Sequence, residues 1–234
     1  AGPAGLEEIP MDDAETFSFI QSGKTIGCFQ LESPAMRGLV RAMKIESLED
    51  IIVGVALIRP GPAEGGMKEA YIRRRAGREE TTYTAPELKQ VLEDTHGILV
   101  YQEQVLQVAG AVAGFSYAEA DLLRRAMTKS RTKKAMDEIR QRFLAGASRK
   151  GISSGAAEKV WCMLAQFAGY GFNKAHSATY GLLAYQSAYL KRRYPAPFMT
   201  AALNNGGGFY DAAEYIEEAR RMGIPQSILR RRLT

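Results

Sequence analysis

Residues 167–191 read FAGYGFNKAHSATYGLLAYQSAYLK, and this stretch joins a glycine-rich turn to a long helical pattern. Gly169 and Gly171 flank Tyr170, and glycine permits tight turns and a close approach of backbone to a ligand. A helical pattern begins near Asn173 and continues over about 175–194. The stretch therefore predicts a turn that leads directly into the N-terminus of a long helix.

N-cap signals recur along the rest of the chain, where a short polar residue precedes a helical pattern. The candidates are Asp12 with Glu15, Ser33 with Pro34, Ser47, Thr84, and Ser116 with Glu119. The predicted helices cover 33–44, 47–58, 84–94, 116–129, and about 132–150, 154–168 and 210–222. Residues 96–102, HGILVYQ, are the best strand candidate, and RPGP at 59–62 predicts a turn. We therefore predict a mainly α fold: a single multi-helix domain with a short strand and turn-rich region.

The composition is typical of a globular protein of the cytoplasm. The chain has 234 residues, of which 46% are hydrophobic, so it can bury a substantial core. It shows no secretory signal and no apolar run long enough to span a membrane. Two cysteines far apart in sequence argue against a disulfide framework or a zinc site. The start without methionine and the abrupt end predict a piece of a longer protein.

Four basic clusters predict an anionic partner for this chain, whose net charge is +5. The clusters are YIRRRAGR (71–78), RRAMTKSRTKK (124–134), KRRY (191–194) and RRRL (230–233). Together they favour nucleic acid or a polyphosphate as the partner. Each cluster alone is also compatible with a helix face that is simply exposed to solvent.

Residues 121–131, DLLRRAMTKSR, predict an amphipathic helix with a cationic edge. Arg125 and Lys129 are four residues apart and share one face, whereas Arg124 and Arg131 share a neighbouring face. Guanidinium groups bind phosphate oxygens bidentately, and we expect few acidic residues on this face. The segment therefore predicts contact with phosphate, and the alternative is an ordinary solvated face.

The glycine-rich stretch also predicts a ligand site. Lys174 and His176 fall in the first turn of the predicted helix, where N–H groups can face an anion. Tyr170, Phe172 and Tyr180 offer flat faces on which a base could stack. The alternative is a turn between helices with a packed aromatic cluster and a structural histidine.

Motifs of several catalytic classes are missing from the sequence. It has no GxxxxGK[ST], HExxH, CxxC or GxSxG motif, and no Asp-x-Asp pair for two magnesium ions. A chain with phosphate-binding cations but without metal-binding carboxylates can bind a nucleotide. We expect it not to turn a nucleotide over on its own.

Six longer stretches carry a family resemblance in their order and spacing. They are GCFQLESPAMRGL, VALIRPGP, THGILVYQEQVLQVAG, GFSYAEADLLRRAMTK, FAGYGFNKAHSATYGLLAYQSAYLK and YPAPFMTAAL. Together they resemble the fingers region of bacterial family C DNA polymerases, the DNA polymerase III alpha subunits and their error-prone relatives. The resemblance covers residues 6–222. It implies a start of the fingers at 1–25, a fingers domain at 26–222 and a divergent tail at 223–234.

The resemblance implies a helical domain that closes over the incoming deoxynucleoside triphosphate (dNTP) in a DNA-directed DNA polymerase. It implies Mg²⁺ bound by aspartates of a palm domain outside this chain, and hence no catalytic residue and no cofactor within it. The implied partners are dNTP, primer–template DNA, the remaining polymerase domains and, through other regions, replisome subunits in the bacterial cytoplasm. It implies no membrane partner.

The resemblance also implies the residues of the site. The nucleotide-binding set is Arg124, Arg125, Lys129, Lys174, His176, Arg59, Asn173 and Tyr170. The wall beside the primer–template or the pocket is Tyr101, Gln102, Gln104 and Tyr180, three of them in the YQEQ motif. The chain departs from the family where TKSR replaces the common Gly-Lys-Lys at 128–131 and where Ala175 replaces a serine.

Two other functions are compatible with the residues. A non-catalytic helical module could use the basic clusters only to contact the nucleic-acid backbone. A structural helical domain could mediate assembly, and basic residues scattered over several faces would favour that reading. Convergence of the basic residues of the two central motifs on one site would favour the polymerase.

Overall fold

The computed structural model describes residues 5–58, 66–128, 133–167, 172–225 and 227. Over these residues the regular structure is helical, with short 3-10 turns beside the α-helices and no β-sheet. The α-helices are α1 (Ala14–Gln21), α2 (Pro34–Met43), α3 (Leu48–Leu57), α4 (Met67–Arg75), α5 (Lys89–Leu92), α6 (Gln102–Ala113), α7 (Tyr117–Thr128), α8 (Lys133–Arg149), α9 (Ser154–Phe167), α10 (Lys174–Arg193), α11 (Pro195–Asn205) and α12 (Ala212–Arg221). The predicted mainly α fold is confirmed. No described helix is both long and apolar enough to cross a membrane.

Three helices begin at the residues that the local sequence predicts. Ser33 caps α2, with Pro34 at its first position, and Ser47 caps α3. Ser116 and Glu119 exchange the two hydrogen bonds of a capping box before α7. These starts depend on neighbouring residues only, which is why the sequence reveals them.

The start of α1 differs from the prediction by one residue. The N-cap is Asp13 rather than Asp12. Asp13 accepts hydrogen bonds from both the backbone N–H and the hydroxyl of Thr16, so it takes the capping position three residues before this threonine.

The predicted strand at 96–102 is an extended segment outside any sheet. Tyr101 makes one isolated parallel bridge with Phe172. Gln104 Oε1 accepts hydrogen bonds from the backbone N–H groups of Val100 and Tyr101, at 2.8 and 3.0 Å. Because a side chain takes these N–H groups, they cannot join a β-ladder.

The helix predicted at 84–94 is divided into three short pieces. The 3-10 turns Pro86–Leu88 and Glu93–Thr95 flank α5.

The sequence patterns did not predict α11, which begins just after α10 with Pro195 at its first position. Proline is tolerated there because the first N–H of a helix has no partner within the helix.

The chain forms two compact units. The central unit is Arg59–His176, and the terminal unit combines Ala1–Ile58 with Ser177–Thr234. The boundary falls within α10. The division into 1–25, 26–222 and 223–234, which followed from the family resemblance, stays a prediction.

The core of the central unit is built around α6. Three valines of α6 are almost fully buried: Val105, Val108 and Val112. A Cβ atom added at Gly146 would lie 2.2 Å from the carbonyl oxygen of Ala113, so α8 and α6 approach closely. Leu123 of α7 is buried in the same core. Arg124 is half-buried and Arg125 is exposed, so the core leaves both guanidinium groups within reach of solvent.

In the terminal unit, α10 approaches α3 almost backbone to backbone at one position. A Cβ atom added at Gly181 would lie 2.6 Å from Ile52 Cγ1 and 3.2 Å from the N and Cα atoms of Ile52. Since backbone atoms cannot move aside as a flexible side chain does, glycine is required at this crossing.

Lys191, near the end of α10, has a fully buried side chain. Its Nζ atom donates to Glu218 Oε1 at 2.6 Å and to the backbone oxygens of Lys24 and Ile26 at 2.9 and 2.7 Å. Three acceptors match the three protons of the ammonium group. Lys191 is therefore part of the interior, and the expectation that the cluster 191–194 faces an anionic partner is wrong for this residue.

We expect Gly181→Ala to lower the free energy of unfolding by about 1–3 kcal/mol, because the added methyl group overpacks the contact with Ile52. Gly38→Ala is the matched control in α2, where an added Cβ meets no atom within 4 Å. The control should be neutral or stabilise the chain by about 0.5–1 kcal/mol. Urea denaturation measures both, and equal effects of the two substitutions would contradict the close crossing.

We expect Lys191→Met to lower the free energy of unfolding by about 3 kcal/mol, because it leaves the buried Glu218 carboxylate without its main partner. Arg192→Met removes a partly exposed pair with Glu15 and should cost less than about 1 kcal/mol. Denaturation of the two variants gives the comparison. A Lys191→Met chain as stable as the parent would show that the buried pair is dispensable.

Candidate nucleotide-binding site

One carboxylate organises the cationic edge of α7. The Nε and Nη2 atoms of Arg124 both donate to Asp121 Oδ1, at 3.0 and 2.8 Å. The Nε atom of Arg125 lies 2.6 Å from Asp121 Oδ2. The hydrogen bond from Arg124, with the positive charge of both arginines, holds the pKa of Asp121 below its usual value. The expectation of few acidic residues on this face therefore overlooked Asp121.

The start of α6 connects α7 to the segment before α10. Arg124 Nη1 donates to Gln102 Oε1 at 3.3 Å. The backbone N–H of Gln102 donates to the carbonyl oxygen of Phe172 at 2.8 Å. One residue of α6 therefore contacts both of the motifs that the sequence singled out.

A second carboxylate holds the first turn of α10 against α6. Glu103 Oε1 accepts a hydrogen bond from the side-chain amide of Asn173 at 2.8 Å. Glu103 Oε2 accepts one from the backbone N–H of Lys174 at 3.0 Å. Asn173 Oδ1 in turn accepts from the backbone N–H of His176 at 2.8 Å, so Asn173 is the N-cap of α10.

Two ring contacts complete this arrangement. The Lys174 ammonium lies 5.5 Å from the centre of the Tyr101 ring, a distance typical of a cation–π interaction. The ring centres of Phe172 and His176 are 5.1 Å apart. The aromatic residues thus support the cation and the histidine of the first turn.

These contacts define one site within the central unit, which we call the α6–α7–α10 site. Its residues are Tyr101, Gln102, Glu103, Asp121, Arg124, Arg125, Phe172, Asn173, Lys174 and His176. The site gathers three permanent cations and two carboxylates. An anionic ligand can reach it, because the Arg125 side chain is 61% exposed and Lys174 and His176 are exposed.

The structure corrects the two buried members of the predicted wall. Gln104 is 6% exposed, and its Nε2 donates to the hydroxyl of Thr95 at 2.8 Å. Its Oε1 closes the start of α6, so Gln104 serves the helix cap rather than an accessible wall. Tyr101 is 2% exposed, and its ring contacts the Lys174 ammonium, so it supports this cation rather than forming an accessible wall.

The other predicted residues divide into two groups. Tyr180 belongs to the terminal unit, where its ring packs edge-to-face on Phe29 at 5.1 Å. Arg59, Lys129 and Tyr170 lie outside the described residues.

Acidic residues of the same chain pair with arginines of two other basic clusters. Glu79 accepts hydrogen bonds from Arg74 and Arg73, and these bonds lower the pKa of its carboxyl group. At the end of α10, Arg192 pairs with Glu15 and Arg193 pairs with Asp13. The fourth cluster, 230–233, lies outside the described residues.

The carboxylates of the site bear on whether it could hold a metal ion. Within the ranges that the structure describes, no group of three or more His, Cys, Asp or Glu side chains is placed to hold a metal ion. Asp121 and Glu103, the carboxylates of the site, are engaged by arginine and amide donors. The described residues therefore do not fit a resident Mg²⁺ ion.

Comparisons with known proteins agree on one family. A family model described as "Bacterial DNA polymerase III alpha subunit finger domain" matches residues 3–151. The chain is 47% identical over 225 residues to a DNA polymerase III subunit alpha of Thermus aquaticus, covering 94% of this chain and 18% of that protein. It is 43% identical over 224 residues to an error-prone DNA polymerase of Symbiobacterium thermophilum, covering 95% and 21%. A DNA polymerase III subunit alpha of Pseudomonas aeruginosa is 44% identical over 228 residues, covering 95% and 19%. The chain thus spans about a fifth of the length of these relatives.

We expect Glu103→Ala to release the first turn of α10, because the Lys174 amide loses its carboxylate acceptor. Hydrogen exchange at that amide should accelerate by about tenfold or more, the loss expected for a hydrogen bond to a charged group. Glu93→Ala is the control, since Glu93 is 65% exposed and its carboxylate lies 4.0 Å from Lys89 Nζ, away from the first turn of α10. Unchanged exchange in Glu103→Ala would mean that this carboxylate does not hold the turn.

Proposed function

This chain belongs to the family of bacterial DNA polymerase III alpha subunit finger domains, and we propose that its α6–α7–α10 site binds the triphosphate of the incoming dNTP. The parent protein would then be a DNA-directed DNA polymerase, as its relatives are named. Within that enzyme we assign this chain binding and positioning, and no catalytic residue.

One observation carries the proposal. Arg124 of α7 and Lys174 of α10 come from distant parts of the sequence, yet both contact the start of α6, through Gln102 and Tyr101. A polyphosphate needs several cations within the length of one molecule, and ordinary scattered surface charges do not supply them.

The chemistry of the side chains is suited to phosphoryl transfer. Guanidinium forks such as those of Arg124 and Arg125 bind phosphate oxygens bidentately, and Lys174 adds a mobile point charge. Positive groups at these positions would neutralise the triphosphate and the charge that develops on the leaving pyrophosphate. The first turn of α10 would add backbone N–H groups and His176.

The metal ions of the reaction belong, in this proposal, to another part of the parent protein. Bound Mg²⁺ would supply charge neutralisation at the reacting phosphate. The described residues of this chain would bind and orient the triphosphate from their own side. Primer–template DNA, the other polymerase domains and replisome subunits are the further partners that we propose for the parent.

A module that only contacts the nucleic-acid backbone is the second candidate. Such a module needs cations spread along a surface. In two of the clusters that would provide them, arginines already pair with acidic residues of the chain, Arg73 and Arg74 with Glu79 and, at the end of α10, Arg192 and Arg193 with Glu15 and Asp13. The cations of the α6–α7–α10 site instead converge on one place. This convergence favours a compact anionic ligand over an extended nucleic-acid backbone.

We expect Arg124→Ala and Arg125→Ala, made in the intact parent polymerase, to raise the KM for dNTP or lower kcat by about tenfold or more. Arg140→Ala is the matched control, because Arg140 pairs with Glu158 on α8 and α9, outside the site. Steady-state primer extension measures all three variants. Wild-type kinetics for both site variants would refute the proposal.

Hydrogen exchange separates the two candidates. We expect a complementary dNTP, added to the parent on a primer–template, to slow exchange at 121–128 and 172–176 by about threefold or more. Primer–template alone should leave these amides unchanged. Protection by primer–template with no further effect of dNTP would support the backbone-binding module instead.

A further inference from the structure

Asp121 occupies the position of an anion between two arginines that the proposed function assigns to a triphosphate. Its Oδ1 atom accepts two hydrogen bonds from Arg124, and its Oδ2 atom faces Arg125. The third described donor of Arg124, Nη1, is directed to Gln102. In this state the fork of Arg124 is therefore occupied by the chain itself.

The first turn of α10 repeats the arrangement with a different carboxylate. The backbone N–H of Lys174, the kind of group that binds anions at a helix N-terminus, donates to Glu103. Two independent anion-binding elements of the site thus each face a carboxylate of the protein. Glu103 comes from α6 and also holds Asn173, whereas Asp121 lies on the same helix as both of its partners.

We propose that Asp121 is an internal counterion, which a polyphosphate displaces from Arg124 and Arg125 when it binds. This inference rests on the proposed function and extends it, since it names a residue that sets the affinity of the site. Asp121 would weaken binding of the triphosphate and of the pyrophosphate product alike, and so favour product release.

The physical basis is competition for the same donors. A phosphate oxygen can use the Nε and Nη2 edge of Arg124 only after Asp121 leaves it, because one fork binds one planar acceptor pair. After displacement the carboxylate still lies on α7 close to the bound anion and repels it. Both effects oppose binding. Removing the charge without a change of shape abolishes the repulsion and weakens the competition, because a neutral amide oxygen binds the guanidinium less strongly than a carboxylate does.

If Asp121 instead supports ligand binding, its replacement should weaken binding. If Asp121 only braces the two arginines in the binding geometry, Asp121→Asn loosens them and weakens every anionic ligand. Damage to the fold also weakens binding. Tighter binding in Asp121→Asn is therefore a result that neither a brace nor misfolding can produce.

The test uses the intact parent polymerase on a primer–template that ends in a dideoxynucleotide. The dissociation constant of the complementary dNTP is measured for Asp121→Asn, Asp121→Glu, Arg124→Ala and Glu158→Gln. The last variant removes another arginine-paired carboxylate of the central unit, outside the site. Inhibition of primer extension by inorganic pyrophosphate gives a second affinity, and thermal unfolding verifies that each variant folds.

We expect Asp121→Asn to lower the dNTP dissociation constant and the pyrophosphate inhibition constant by about three- to tenfold, the effect of one nearby charge in a partly solvated site. Glu158→Gln should stay within about twofold of wild type. Asp121→Glu keeps the negative charge and should therefore lower neither constant. Both constants should also depend more steeply on salt in Asp121→Asn, because the arginines then lack their internal counterion.

The test distinguishes failure of the counterion role from failure of the proposed function. If Arg124→Ala weakens dNTP binding while Asp121→Asn weakens it or leaves it unchanged, the counterion role is overturned and the proposed function stands. If Arg124→Ala leaves dNTP binding unchanged, the proposed function itself fails, and the counterion role fails with it.

Discussion

The site depends on the contact between the start of α6 and the first turn of α10. Gln102 donates its backbone N–H to Phe172, and Glu103 accepts hydrogen bonds from Asn173 and Lys174. Asn173 and Glu103 are 70 residues apart in sequence, so local structure alone cannot bring them together. Without this contact, the arginines of α7 and the lysine of α10 would have no common neighbour. The hydrogen bonds at the start of α6 are thus what turns two basic motifs into one site.

Whether a basic cluster of this chain can bind an anion depends on the ion pairs of its side chains and not on the number of basic residues. The clusters at 71–78 and 191–194 are also rich in basic residues, but several of their arginines pair with acidic residues of the chain: Arg73 and Arg74 with Glu79, Arg192 with Glu15 and Arg193 with Asp13. One lysine is not at the surface at all. In the α6–α7–α10 site the carboxylates belong to the site itself and accept hydrogen bonds from groups that we propose bind the triphosphate. A formal net charge of +5 reveals none of these differences.

Local signals explain how much of the fold the sequence predicts. Ser33, Ser47 and Ser116 identify helix starts because an N-cap bonds only to residues within its own first turn. The segment at 96–102 was predicted to be a strand but pairs with no sheet. The Gln104 side chain accepts hydrogen bonds from backbone N–H groups that strand pairing would need. Patterns of β-branched residues do not report such competition. The helix α11 was missed because Pro195 looks like a helix end when it is in fact a helix start.

The site was predictable to a similar extent. Helical spacing and the family resemblance together selected Arg124, Arg125, Lys174 and His176, and the same spacing could have revealed Asp121 three and four residues before the arginines. Glu103 could not be found in this way, because its partners follow from tertiary contact.

The burial of Lys191 has a consequence for chemical labelling, because its ammonium group is enclosed in the terminal unit by three hydrogen-bond acceptors. An amine-reactive label applied to the native chain should spare this lysine while modifying exposed ones, so its late acylation would report, at a single residue, when the terminal unit opens.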